Sequence, residues 1–160
     1  MVDPKRSGRY DRIHAQLEGL IKGKSPGLVA AMATVCAVLH AKLPHHFWTG
    51  FYFVVGEDEL HVGPYQGSVA CQVLKGRGAC LHCAQTRAPV VLTDVNRFPG
   101  HIACDSRSQS EIVVPLMRGD RVVAVLDVDS DRLGQFDEDD IQPLQRIVAL
   151  LEPFLGEVLP

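Results

Sequence analysis

Residues 111–130, EIVVPLMRGDRVVAVLDVDS, decide how this chain folds. Two runs rich in β-branched and aliphatic residues flank the turn sequence RGD (118–120), a pattern that predicts a β-hairpin. Alternate residues of a strand share a face, so Asp127 and Asp129 lie on one face and Val128 on the other. Glu111 stands in a comparable position at the start of the first run. Carboxylates on an inward face are costly unless they are used, whereas on an outward face they form only a solvated edge, and the pattern leaves both open.

The segment before the hairpin carries a cysteine in an unexpected setting. GHIACDSRSQ (100–109) places Cys104 among glycine and polar residues, inside a loop predicted over 96–110 with at most one helical turn. A loop of that length in a small domain is commonly functional. Cys104 is therefore a loop thiol, a metal ligand or a nucleophile.

Moving outward, the remaining patterns define the fold class. Two helices are predicted around 10–21 and from 26, a hairpin over 47–63, a strand at 68–74, a short helix within 76–86, a strand at 89–95 and an amphipathic helix over 136–155. Consecutive strands joined by tight turns predict an α+β fold, a mostly antiparallel sheet with helices packed on one face. The length suits one domain, residues 1–160.

Composition and charge exclude several classes of function. The net charge is −3, from 16 basic and 19 acidic residues, and gives no footprint for nucleic acid. The longest apolar run, residues 28–39, is too short to cross a bilayer, for which about 18 residues are needed. The N-terminal stretch has no apolar core typical of a signal peptide, so we expect a cytoplasmic protein without membrane partners.

The five cysteines permit two kinds of chemistry. Cys36 lies in an apolar helical run and is interpreted as a core residue, whereas the other four fall between positions 71 and 104. Cys80 with Cys83, and His101 with Cys104, have the spacing of a Cys₃His zinc site. Alternatively, Cys104 is an attacking thiolate whose pKa is lowered by His101 and Arg107, with Cys80 or Cys71 as its partner.

Several longer motifs resemble one family, the free methionine-(R)-sulfoxide reductases, which are single-domain enzymes of the GAF fold. They are FWTGFY (47–52), VGPYQGSVAC (62–71), GRGAC (76–80), TDV with FPGHIACDSRSQSEIVVPL (93–116) and VLDVDS (125–130). The GHIACD motif followed by SEIVVPL is the most specific of them. The GAF fold also serves in small-molecule sensors, so the fold alone does not imply catalysis.

The resemblance implies a reaction and its residues. Cys104 matches the family's nucleophile, and Cys80 and Cys71 match its other two motif cysteines. The matching substrate-binding residues are Trp48, Tyr52, Glu111, Asp127 and Asp129. The expected reaction reduces free L-methionine (R)-sulfoxide without a cofactor or metal: the thiolate becomes a sulfenic acid, a second thiol forms a disulfide with it, and a thioredoxin-like dithiol reductant restores both thiols.

Three departures from the family concern the second thiol. The spacing between Cys71 and Cys80 is one residue short, Leu81 replaces a usual glycine, and Cys83, beside His82, is an additional thiol. Because Cys80 follows a glycine turn at a predicted helix start, where a thiolate is favoured, we predict a Cys80–Cys104 disulfide, with Cys71 as the second choice.

Two other functions and one partner complete the predictions. The alternatives are a non-catalytic GAF sensor that binds a small molecule and the Cys₃His zinc domain. The resemblance also predicts a homodimer, formed through the first two helices.

Overall fold

The computed structural model describes residues 2–102 and 104–156. The elements in chain order are the helices α1 (Pro4–Ile21) and α2 (Leu28–Lys42), the strands β1 (His46–Val54), β2 (Glu59–Gly67) and β3 (Val73–Lys75), helix α3 (Ala79–Thr86), the strands β4 (Val90–Leu92), β5 (Ser110–Arg118) and β6 (Arg121–Ser130), and helix α4 (Ile141–Ala149). Short 3₁₀ turns occupy Val95–Arg97, Glu138–Asp140 and Glu152–Phe154. None of the helices in the described part of the chain has the length and apolar character needed to cross a membrane.

The strands form a single antiparallel sheet in the order β3-β2-β1-β6-β5-β4. This confirms the predicted α+β fold and the predicted hairpin, in which β5 pairs with β6 along nearly its whole length. β1 and β6 join the two halves of the sheet at its centre.

Each face of the sheet is covered by different elements. Phe51 and Phe53 of β1 point into a large apolar cluster with α1, α2 and α4, whereas Trp48 and Tyr52 point to the opposite face. The prediction that all helices pack on one face is wrong for α3, whose Leu81 lies on that opposite face. The near-continuous apolar runs of β5 and β6 explain this, because strands with two apolar faces need cover on both sides.

The strand predicted over 68–74 is also wrong. β2 extends to Gly67, the chain then runs as a loop through 68–72, and β3 contains only three residues. Gly67 has φ +120°, and a Cβ atom there would collide with the Phe47 carbonyl, so the chain turns where only glycine fits. The short loop it starts, residues 68–72, carries Cys71 and is called the Cys71 loop below.

The closing helix is shorter than the predicted 136–155. A capping box of Asp137 and Asp140 begins the 3₁₀ turn that leads into α4, and the Tyr10 hydroxyl of α1 donates to Asp140 at 2.8 Å. α4 ends at Ala149, and the next turn contains Pro153, which lacks a backbone donor for further helical bonds. Cys36 is fully buried in the helix-side cluster, as predicted.

Candidate active site

Strand register brings the predicted pocket residues together on the sheet face opposite the long helices. Trp48 lies opposite Asp129, which lies opposite Glu111, so that these three form one row across β1, β6 and β5. In a neighbouring row, Asp127 lies opposite Gly50. A Cβ atom on Gly50 would collide with the Trp48 indole, so glycine at this position makes room for the ring. The alternative that these acidic residues form a solvated edge on the outer face of the sheet is therefore wrong.

The carboxyl groups of this face are withdrawn from water. Glu111 is 5% exposed and Asp127 6% exposed, and an oxygen of Asp127, Oδ1, has no hydrogen-bond partner among the described residues. Burial, and then the neighbouring carboxylates, raise the pKa of Asp127 to about 8 and the pKa of Glu111 and Asp129 well above their usual range. With a pKa of about 8, Asp127 holds its proton in most molecules at neutral pH, and the raised pKa of all three groups suits this cluster to donate a proton. A group of the cluster that gives up its proton can pair with a cation.

His101 and Ser108 lie in the loop that carries Cys104, and their side chains approach the buried carboxyl groups. His101 Nδ1 lies 3.9 Å from Glu111 Oε2, and burial lowers the pKa of His101. The Ser108 hydroxyl donates to Asp129 Oδ1 at 3.1 Å. Sequence reasoning gave Ser108 no role, and its only sequence signal is its position in the loop that precedes β5.

The aromatic residues both line the pocket and hold the Cys71 loop. The Trp48 ring stacks between Tyr52 and Tyr65, at centroid distances of 5.7 and 5.4 Å. The Trp48 Nε1–H group donates to the Ser68 carbonyl at 3.1 Å, and the Tyr52 hydroxyl donates to the Cys71 carbonyl at 3.0 Å. Both ends of the loop are thus fixed by the residues that form the pocket wall.

The disulfide joins Cys104 to Cys71, with a Cα–Cα distance of 5.5 Å, so the predicted Cys80–Cys104 pairing is wrong. Cys80 is a free thiol, 3% exposed, on the floor of the pocket. Burial and then the charges of Asp127 and Glu111 raise its pKa well above the usual range, which opposes the thiolate that was expected at a helix start. The Cys71 loop begins at the Gly67 turn and is held by hydrogen bonds from Trp48 and Tyr52. It places Cys71 next to Cys104 instead.

Besides the disulfide, a hydrogen bond joins the residues that follow Cys104 to the Cys71 loop. Asp105 accepts hydrogen bonds from the Ser68 hydroxyl and from Arg107, each at 2.7 Å, and these bonds, chiefly the one from Arg107, hold the pKa of Asp105 well below its usual range. Arg107 also lies over the Phe47 ring, 4.9 Å from the centroid. Arg107 was predicted to lower the pKa of the cysteine, but its charge is paired with Asp105.

These walls enclose a cleft that opens to solvent. The lining includes Trp48, Tyr52, Cys104 and the carboxyl groups of Glu111, Asp127 and Asp129. The cleft therefore combines the exposed cysteine of the disulfide, an aromatic wall and a buried carboxyl cluster.

The predicted Cys₃His zinc set does not assemble in this state. Cys104 is bonded to Cys71, and within residues 2–102 and 104–156 the side chains positioned to share an ion are Cys80, Glu111 and Asp127 instead. The additional Cys83 is fully buried in the cluster on this face. His82 is exposed, and its ring packs edge-on against Phe98 at 5.7 Å.

Comparisons with known proteins identify relatives of the whole domain. The family model described as GAF domain matches residues 28–155. The chain is 37% identical over 148 residues to the free methionine-R-sulfoxide reductase of Escherichia coli K12, covering 92% of this chain and 88% of that protein. It is 44% identical over 145 residues to GAF domain-containing protein A of Dictyostelium discoideum, covering 90% of each. The X-ray structure of the Neisseria meningitidis free methionine-R-sulfoxide reductase in complex with its substrate superposes with a TM-score of 0.88 at 39% identity, covering 98% of this chain and 92% of that one.

Proposed function

This chain belongs to the free methionine-R-sulfoxide reductases, a group within the GAF family, and from that premise we propose that it reduces free L-methionine (R)-sulfoxide to methionine. The observation that carries the proposal is the Cys71–Cys104 disulfide at the mouth of a cleft floored by buried carboxyl groups. A redox cycle needs a second thiol within reach of the first, and the disulfide supplies that pair.

The first step transfers oxygen from substrate sulfur to Cys104. The Cys104 thiolate attacks the sulfoxide sulfur and forms a sulfur–sulfur bond. The sulfur–oxygen bond of the substrate then breaks as the oxygen bonds to the cysteine sulfur, and cleavage of the sulfur–sulfur bond releases methionine and leaves a sulfenic acid. The departing oxygen must be protonated, and the raised pKa of Glu111 and of Asp129 supports the role of proton donor for these two groups. The sulfur of the substrate gains the electron pair that the thiolate loses.

The second step removes the oxygen as water. The Cys71 thiol condenses with the sulfenic acid of Cys104, which forms the disulfide of the structure and releases one water molecule. A thioredoxin-like dithiol then supplies two electrons and two protons and returns both cysteines to thiols. Because Cys104 is exposed and Cys71 half-buried, the incoming reductant is expected to attack the Cys104 sulfur.

Substrate recognition follows from the division of the cleft. The acidic floor suits the ammonium group of a free amino acid, since at least one carboxylate can pair with it away from water. The Trp48 and Tyr52 rings suit the S-methyl end through sulfur–aromatic contact. Among the residues that line the cleft in the described part of the chain, neither lysine nor arginine is present, which fits a cationic substrate group.

The test is methionine release from separated sulfoxide diastereomers with a dithiol reductant. We expect turnover of the free R form and rejection of the S form. N-acetylated R sulfoxide should react tens to thousands of times more slowly, because loss of a charge pair in a desolvated site costs about 2–5 kcal/mol. Absence of release from either diastereomer would favour the sensor function, and equal rates on free and N-blocked substrate would contradict ammonium recognition by the carboxyl groups.

Two further expectations concern the setting of the reaction. Cytoplasmic location supplies the reducing dithiols that the cycle consumes, and fractionation of cells with an antibody would test it. The homodimer through α1 and α2 is supported by two exposed apolar side chains, Leu20 on α1 and Val29 on α2. Sedimentation analysis of the protein and of a Val29→Asp variant would test that surface.

A further inference from the structure

A second chemical feature of the cleft lies outside the thiol cycle. Cys80 Sγ and carboxylate oxygens of Glu111 and Asp127 all lie within 4.8 Å of one another. Cys80 stays free while Cys71 and Cys104 are joined, so it takes no part in the disulfide. Three different elements, α3, β5 and β6, deliver these side chains to one point.

Among the described residues that line the cleft, neither lysine nor arginine lies beside this trio. All three side chains are at least nine-tenths buried and line the cleft, and Asp127 Oδ1 is a buried oxygen without a hydrogen-bond partner among the described residues. The lining does include His101, whose Nδ1 is 3.9 Å from a carboxylate oxygen of Glu111. A buried carboxyl group whose oxygen has no hydrogen-bond partner is satisfied by a cation, which displaces the carboxyl proton as it binds.

We propose that Cys80, Glu111 and Asp127 bind a thiophilic divalent cation such as Zn²⁺, and that the bound ion keeps substrate out of the cleft. One sulfur and two oxygen ligands suit zinc or cadmium, whereas magnesium and calcium take oxygen ligands alone. The second half of the inference rests on the proposed function, because the ion would occupy the carboxylates that receive the substrate ammonium. The first half concerns binding alone.

The geometry requires a small adjustment. Ligands of a tetrahedral zinc ion, each about 2.0–2.3 Å from the metal, lie up to roughly 3.8 Å apart. Closing a spread of at most 4.8 Å takes side-chain rotations that move the ligand atoms by about 1 Å in total, and the protons held by Cys80, Glu111 and Asp127 are released to solvent as the ion binds. Since the trio faces the open cleft, water can complete the coordination.

The oxidised protein gives the sharpest test of binding. With Cys71 and Cys104 joined, neither can act as a metal ligand, so the reduced dithiol is removed as a competing site. The probes are Zn²⁺ by isothermal titration and Co²⁺ by its thiolate-to-metal absorption band. We expect one ion per chain, with the band present.

Variants identify the ligands. Cys80→Ser should abolish the absorption band. Asp127→Asn should weaken metal binding by about tenfold to a hundredfold or more, because removal of a residue that only orients a metal ligand already costs that much affinity. Cys83→Ser is the matched control, because Cys83 is a buried thiol three residues further along α3 that does not belong to the trio, and it should bind as wild type. If Cys80→Ser fails to fold, Cys80→Ala and Asp127→Asn carry the same test.

Inhibition is measured separately from binding. Zn²⁺ should raise KM without lowering kcat, and Cys80→Ser should be less sensitive by at least about tenfold relative to its own uninhibited rate. Absence of binding to the oxidised protein, or binding that survives Cys80→Ser, would overturn the proposal even if the enzyme reduces its substrate. Binding that depends on Cys80 would support the metal site even if turnover were absent, which would refute the proposed function alone.

Discussion

Both faces of the central sheet are buried, but they are built for different purposes. On the helix side, Phe51 and Phe53 pack with apolar residues of three helices. On the cleft side, Trp48 and Tyr52 alternate with them along the same strand and meet buried carboxyl groups and thiols. The parity of a residue along β1 or β6 thus decides whether it serves stability or chemistry, which means that the two can be separated by substitution.

The largest expected effect is on the cleft side. Cys104→Ser should lower turnover by at least about a thousandfold, because a hydroxyl is a poor nucleophile at neutral pH. The melting temperature of the reduced variant should stay close to that of the reduced wild type, since Cys104 is exposed. Methionine release and thermal unfolding measure the two quantities.

The same chemical change on the helix side should have the opposite outcome. Cys36 is fully buried, and its thiol donates to the Pro64 carbonyl at 3.4 Å. Cys36→Ser should lower the free energy of unfolding by about 1–2 kcal/mol, because a hydroxyl is more polar than a thiol in an apolar core, while the folded enzyme keeps its turnover. Loss of turnover in Cys36→Ser with an intact fold would break the separation of the faces.

The second prediction concerns the centre of the helix-side core. Phe51→Ala should lower the free energy of unfolding by about 3–5 kcal/mol, because the ring is fully buried between β1 and the helices. Denaturant unfolding measures this loss. A loss below about 1 kcal/mol would show that the helix-side cluster does not hold the sheet.

Sequence patterns predicted the features that depend on strand periodicity. The β-hairpin of residues 111–130 and the shared face of Asp127 and Asp129 follow from the alternation of side chains, and the structure confirms both. The fold class and the family motifs are confirmed as well. These features are local in sequence or repeat along it.

Features that depend on hydrogen bonds between side chains and the backbone could not be predicted from the sequence. The choice of Cys71 over Cys80 is made by the turn at Gly67 and by donation from Trp48 and Tyr52 to loop carbonyls. None of these bonds has a sequence pattern. The face on which α3 packs was missed for a related reason, since eight residues carry too little periodicity to show which surface the helix covers.

The third prediction concerns how the free energy of unfolding changes with pH as buried groups on the two faces of the sheet titrate. Burial raises the pKa of Asp127 to about 8 from an ordinary 3.8, so between these values the native state binds more protons than the unfolded state. The free energy of unfolding therefore falls as pH rises through this window, by at most about 1.4 kcal/mol per pH unit for each proton. The raised pKa values of Glu111 and Asp129 act in the same direction.

A histidine on the helix side opposes this trend at lower pH. His46 packs against Phe136, and burial lowers the pKa of His46 to about 3 from an ordinary 6.5, so its contribution to stability increases as pH rises towards 6.5. The carboxyl effect is thus clearest between pH 6.5 and 8, in denaturant unfolding of the oxidised protein. Asp127→Asn should flatten the slope there, whereas His46→Gln should change it only below pH 6.5. An unchanged slope in Asp127→Asn would contradict the retention of a proton at this carboxyl group.

The smallest expected effect tests the link between the pocket wall and the second thiol. Tyr52→Phe keeps the ring but removes the hydroxyl that donates to the Cys71 carbonyl at 3.0 Å. One such hydrogen bond contributes about 0.5–1.5 kcal/mol, enough to let the Cys71 loop leave its position a few times more often. The sulfenic acid on Cys104 should then react with Cys71 more slowly. Trapping with a sulfenate-specific reagent after one turnover should therefore capture a severalfold larger fraction of the protein than in the wild type.

Tyr10→Phe provides the matched control on the helix side. It also removes a buried hydroxyl, which donates to Asp140 at 2.8 Å, but in the cluster on the face of the sheet opposite the cleft. Its free energy of unfolding should fall by about 1–3 kcal/mol, because Asp140 loses a partner, while the trapped fraction stays as in wild type. If both tyrosine variants trapped equal amounts, the effect would reflect general loosening of the domain. If neither raised the trapped fraction, the short reach between Cys71 and Cys104 would be maintained without Tyr52, leaving Trp48 and the turn at Gly67 to fix the loop.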